Sequence, residues 1–301
     1  RQHVKHTRKH HKLDRRMRKL KRSSGLFIAP SFLGVLAFFF LPFLVVIFYS
    51  LVDNPISMSF VFLDNFRNVV QNAAFRTAVH NTAVFSAIAV PLAVVLSLLL
   101  AIVLESKLPF RSQFRTFFLS PMMVPVASIV LIWQVLFHYN GAVNDLLGVF
   151  GVEKIDWLKS SYSIIVIVIL FLWKNLGYNM ILFMAALQSI PTDILEAARI
   201  DGASTGQIFK YIQIPAIMLM VDFVLFDNIR GALQVFDIPF VMTAGGPGYA
   251  SSTFTLYTIK TAFTFSNFGL AATMAVAIML MIVIIYVIQN KIIHGLVLRD
   301  K

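Results

Sequence analysis

Cysteine is absent from the 301 residues, which excludes disulfides and thiol chemistry. That absence leaves the compartment open, because membrane helices need no covalent staple. Acidic residues are scarce, with 14 Asp and Glu against 26 Lys and Arg. There is no G-x-x-x-x-G-K-[ST] loop and no Gly-Lys pair anywhere, so the chain holds no nucleotide in a P-loop. Gly245-Gly246-Pro247-Gly248 is interrupted by proline and followed by no Lys, which reads as a turn and not a phosphate cradle. Neither an H-E-x-x-H zinc helix nor a serine-hydrolase elbow is expected.

What is present is apolar. Hydrophobic residues make up 58% and charged residues 13%, with a mean hydropathy of +0.79, far from soluble composition. A hydrocarbon core of about 30 Å needs about 20 apolar residues as a helix. Six runs meet this, at 27–52, 82–104, 116–137, 162–187, 216–237 and 266–289. Barrel strands would alternate over about 10 residues, and these runs do not. Buried soluble helices of this number and length would need a larger core than the chain can build. The expectation is an all-α integral membrane protein of six spans, the first retained because it is too long for a signal peptide.

Lys and Arg set the orientation. With the N-terminus inside, 19 of the 26 fall in 1–26, 105–115, 188–215 and 290–301, five fall in the opposite loops, and Lys174 and Arg230 lie within spans. Both termini are therefore expected in the cytoplasm. The chain divides into a basic tail (1–26), a transmembrane domain (27–290) and a short C-terminal tail (291–301). In the basic tail His3, His6, His10 and His11 interleave with ten Lys and Arg between Lys5 and Arg22. With no aromatics for stacking and a span directly after it, the tail reads as an anchor on anionic lipid, not a nucleic-acid binder. No metal site is expected.

Between the fourth and fifth runs lies a charged segment. Leu195-Glu196-Ala197-Ala198 is helix-forming, Asp193 suits the helix start and Gly202 suits its end. Ser204 can cap a second helix bearing Ile208, Phe209 and Ile212, which ends near Ile214-Pro215. A helix so rich in small and charged residues lacks the wide apolar face of a lipid-surface helix, and small residues let another protein approach closely.

Glu196-Ala197-Ala198, Asp201-Gly202-Ala203 and Ile212-Gln213-Ile214-Pro215 resemble the EAA loop of membrane subunits of binding-protein-dependent ATP-binding-cassette importers. Phe236-Asp237 with Thr243-Ala244-Gly245-Gly246-Pro247 is similar to a stretch of the maltose- and glycerol-phosphate-type first permease subunit. The resemblance runs from about residue 25 to the end. It implies a non-catalytic permease with the type I importer fold in a bacterial or archaeal cell membrane. It further implies a second homologous permease, two ATPase subunits holding ATP and Mg, an extracytoplasmic solute-binding protein and a carbohydrate substrate, with no cofactor in this chain. Glu196, Ala197, Ala198, Asp201 and Gly202 fall on the ATPase-coupling motif, within an arm at 190–215. Two departures stand out. The usual Leu-Pro is Ile214-Pro215, and a further proline is missing, which removes the usual reason for a kink in the fifth span.

Polar residues at bilayer depth are costly and face a cavity or a partner. The fifth run holds Asp222, Asp227, Asn228, Arg230 and Gln234, with Asp237 at its outer end. At about 100° per residue, Asp227, Arg230, Gln234 and Asp237 fall within an arc of about 80°. A rise of about 1.5 Å per residue puts Asp227 roughly 16 Å from the inner end, near the midplane. The fourth run places Asn175, Tyr178 and Asn179 on one face beside Trp173 and Lys174. Hydroxyl-rich sugars use such donors, acceptors and rings, so the expected path is Trp173, Asn175, Tyr178, Asn179, Asp227, Arg230 and Gln234. A structural alternative pairs Asp227 with Arg230 at i, i+3 and has Lys174 neutralise Asp222 or an acid of a partner chain. A functional alternative is an ion-coupled secondary transporter with Asp222, Asp227 and Arg230 as its relay. An intramembrane enzyme is disfavoured, since Asp222 and Asp227, five residues apart, point in different directions. Loops at 53–80, 138–161 and 238–263 are expected outside, as a platform for the binding protein.

Overall fold

The computed structural model describes residues 27–105 and 109–299. The basic tail with its histidines, part of the 105–115 loop and the last two residues lie outside the described residues. The described chain is helical, with a lone antiparallel bridge between Val52 and Phe60. Four helices are long and apolar enough to cross a membrane, or up to six if each of two sharply bent pairs is counted as one span.

The first of these, α1, is Phe27–Ser50. Pro42 has no N–H to give to the preceding turn and its ring crowds that turn. The helix widens to π geometry over Leu36–Phe40 just before it, the usual local relief. None of the most apolar window of α1 is buried. Its far end is pinned instead: the Ser50 carbonyl accepts from Asn65 Nδ2 (3.1 Å) and Thr273 Oγ1 (3.3 Å).

After α2 (Asp64–Gln71) comes α3, Ala73–Glu105. The loop expected at 53–80 is thus largely helical: it holds α2 and, after Asn72, the first turns of α3. Buried Ala78, Thr82, Phe85, Ala89, Ala93, Ser97, Ala101 and Leu104 recur every three or four residues along α3. The part of this stripe from Phe85 to Leu104, mostly small, lets α7 (Ser163–Gln188) lie close against it, as membrane helix interfaces favour.

The third run is not one straight helix. It forms α4 (Arg111–Met123) and α5 (Val126–Leu136), bent by 104°. Pro125 forces Val124 out of the helical region, and both residues are extended. A Cβ on Gly177 of α7 would sit 1.9 Å from the Phe118 carbonyl oxygen of α4. Only glycine permits this crossing. A short helix, α6 (Ala142–Val149), follows α5.

The fifth run is also divided. After α8 (Thr192–Ile200), α9 (Thr205–Ala216) meets the helical segment that begins at Met218 at 69°. The kink is therefore present without the missing proline. Pro215 suffices: π geometry over Phe209–Gln213 precedes it and Ile217 leaves helical geometry (φ −96°, ψ 7°). α10 (Met218–Leu233) stops at Gln234, and α11 (Asp237–Thr243) starts anew. Asp237 is thus not on the helix of Asp227 and Arg230, as the single-span reading required. α12 is Phe254–Phe263, and α13, Phe268–Arg299, extends helix well past residue 289 into the expected C-terminal tail.

Three apolar clusters hold the bundle. One joins α3, α5, α7 and α11 around Phe85, Ile167 and Leu170. A second joins α3, α7 and α10 around Phe183, Met184 and Val224, with Leu187, Ile190 and Ile217. A third ties α2, α3, α12 and α13 around Phe75, Phe254 and Met274.

Candidate coupling arm and polar face

The arm begins where Pro191, extended at ψ 130°, separates α7 from α8. No residue of α8 is buried. Leu195 is its anchor, packing half-buried on the cluster formed by Leu187, Ile190 and Ile217. Glu196, Ala197, Asp201 and Gly202 are exposed and Ala198 is half-buried. The helix ends in a Schellman turn: Gly202 donates to the Arg199 carbonyl (3.1 Å) and Ala203 to that of Ala198 (3.0 Å). This turn needs a left-handed residue, and Gly202 has φ +83°. The next helix starts at once with a capping box, Ser204 Oγ accepting from the Gln207 amide and Gln207 Oε1 accepting from that of Ser204 (2.8 Å). Two opposed helix signals therefore fix the arm's shape within three residues. Ile200 and Tyr211 are 86% and 66% exposed on this polar element, and an open groove runs between Asp201 to Ala203 and Gln207 to Ile212.

One expectation needs correcting here. Gly202-Ala203-Ser204-Thr205-Gly206 does spell G-x-S-x-G. A nucleophile elbow sits on a strand-to-helix turn, whereas Ser204 joins two helices and its oxygen is engaged as a cap.

Inside the bundle the polar residues are tied to one another. Arg230 Nη2 donates to Asp227 Oδ1 at 2.7 Å and Nη1 reaches Gln234 Oε1 at 3.4 Å. Lys174 Nζ donates to Asp237 Oδ2 at 2.9 Å, so its partner is the start of α11 and not Asp222. Asp222 instead accepts from Gln289 Nε2 on α13 at 2.6 Å. Asn179 is 1% exposed and donates to buried Asn228 Oδ1 at 3.1 Å; Asn228 in turn donates to the Val224 carbonyl. Asn179, expected on the path, is closed off between α7 and α10. Asn175, Tyr178 and Trp173 are half-buried; Asn175 donates back to the Phe171 carbonyl and the Trp173 ring meets Trp133 edge-on. Gln289 was missed by sequence reading, although an amide in a run of Ile and Val was the available signal.

The model of the binding-protein-dependent transport system inner membrane component matches residues 93–296. The chain belongs to that family. This membrane component is 32% identical over 275 residues to the lactose transport system permease protein of Rhizobium radiobacter, covering 88% of this chain and 91% of the relative. It is 31% identical over 271 residues to the probable starch degradation products transport system permease protein of Thermoanaerobacterium thermosulfurigenes, again covering 88% and 91%. Its fold matches a chain of a bacterial ABC transporter involved in the import of the acidic polysaccharide alginate, with a TM-score of 0.82, 19% identity and coverage of 93% and 99%. The component is a non-catalytic, multi-pass membrane subunit of a binding-protein-dependent importer. An ion-coupled relay through Asp222, Asp227 and Arg230 gives way to this assignment.

Proposed function

We propose that this chain is the permease subunit of an ATP-driven importer of a carbohydrate. The sugar is delivered by a solute-binding protein and passes along the face formed by Trp173, Asn175, Tyr178, Asp227, Arg230 and Gln234. Relatives named for lactose and for starch degradation products support a saccharide cargo. In this reading each bent pair makes one crossing, which gives six spans with both termini in the cytoplasm. The basic tail of 1–26 rests on anionic lipid, and 27–290 is the permease domain. A second homologous permease and two ATPase subunits, which hold ATP and Mg, complete the assembly.

The observation that carries the reading is the arm. α8 presents Glu196 and Ala197 outward and the turn after it Asp201 and Gly202, while Leu195 roots the helix in the cluster shared by α7 and α10. Motion of a docked ATPase surface would be passed through Leu195, Ile214 and Ile217 to the two helices bearing the polar face. Coupling needs such a contiguous element touching both sites. The test is Glu196→Lys in the assembled transporter in proteoliposomes. Uptake should collapse while the chain remains inserted, and vanadate should stop uptake in the wild type. Normal uptake in Glu196→Lys, or uptake that survives vanadate, would remove the docking role.

A further inference from the structure

We infer that the saccharide carried along the polar face is electrically neutral. The inference rests on the reading of that face as the path, and concerns the charge it accepts. Among the described residues, α7 and α10 supply two cations at this face, Lys174 and Arg230, and each already holds a carboxylate of this chain, at 2.9 Å and 2.7 Å. The pairs are not sealed in the core. Side-chain exposure is 38% and 43% for Lys174 and Asp237, and 49% and 31% for Arg230 and Asp227. They stand where a passing sugar meets them, as groups that cancel.

An acidic saccharide would have to take Arg230 from Asp227 or Lys174 from Asp237. Either exchange leaves a carboxylate unpaired at bilayer depth, which is the costly outcome. Asp222, engaged by the uncharged amide of Gln289, adds a further acid that forms no ion pair among the described residues. The charge of this part of the chain thus opposes an anion. A neutral sugar asks for no exchange. Its hydroxyls can use the remaining donors of Arg230 and the free lone pairs of Asp227 while the pair stays closed, and Gln234 and Tyr178 offer uncharged partners.

The test uses the assembled transporter with its ATPase subunits and solute-binding protein in nanodiscs. ATPase stimulation is measured with neutral malto- and cello-oligosaccharides and with uronate oligosaccharides of the same length. Neutral sugars should be favoured by about tenfold or more. Asp227→Asn and Asp237→Asn, each leaving a cation bare, should narrow that preference. Uronates that stimulate the wild type as well as neutral sugars would overturn the inference. So would a preference unmoved by both substitutions, which would place selection in the binding protein. Stimulation by no saccharide of either kind would instead bring down the carbohydrate reading, and this inference with it.

Discussion

On the arm, Glu196, Asp201 and Arg199 are exposed and have no side-chain partner among the described residues. On the faces of α7 and α10, residues of the same chemical kinds are engaged pair by pair: Lys174 with Asp237, Arg230 with Asp227, Asn179 with Asn228. Water explains the contrast. A charge in water gains little from a salt bridge, so the arm can leave its charges open for another chain. A polar group among lipid and apolar side chains has no such freedom. Substitutions in the two regions should therefore fail in different ways, one losing communication and the other losing cohesion.

The sharpest break of cohesion is Gly177→Val. Because the new side chain must enter the space of the Phe118 carbonyl, the cost should reach about 3 kcal/mol or more, read as loss of folded chain in detergent and a collapsed thermal melt. A normal melt would show that α4 can move away from α7. Gly202→Asp is the counterpart on the arm. Nothing lies within 4 Å of a Cβ there, and Asp tolerates the left-handed region better than most residues. Its melt should stay close to wild type while ATPase coupling weakens by roughly 2 kcal/mol, the size of an interface hot spot. A fall in melting temperature as large as the loss of coupling would erase the distinction between the regions. Asn179→Leu strands Asn228 and should cost about 1 kcal/mol in unfolding titrations. Asn179→Leu/Asn228→Leu should recover part of it, and a merely additive loss would argue against the pair. Removing both partners at once, in Gln289→Leu/Asp222→Leu, should have the smallest effect, about 0.5 kcal/mol, seen in the same titrations with uptake largely kept.

The arm was legible in the sequence because its signals are local: Asp193, Gly202 and Ser204 act on their own neighbours. The apolar runs were legible for a similar reason, since spanning length is a property of a segment. The breaks were harder. Pro125 and Pro215 were visible, but whether a proline bends a helix or interrupts it depends on what packs beside the freed carbonyls. Gln234 to Phe236 carries no proline or glycine at all, so the end of α10 has no local mark, and the assumed continuous stripe put Asp237 on the wrong element. The partners of Lys174 and Asp222 were illegible because they lie 63 and 67 residues away. Only the folding back of α11 and α13 brings them near.

α1 is built as a cantilever. Its far end is clamped by Asn65 and Thr273, and Gly269 lies so close to Val52 and Asp53 that a Cβ there would meet the Asp53 carbonyl oxygen at 2.5 Å. The half that starts at Phe27 holds no buried residue as far as Phe40. A bilayer that thins or thickens can be followed by swinging this free half about the π turn at Leu36–Phe40, at a cost of fractions of a kcal/mol per Å. The paired residues of α7 and α10 would not feel the change.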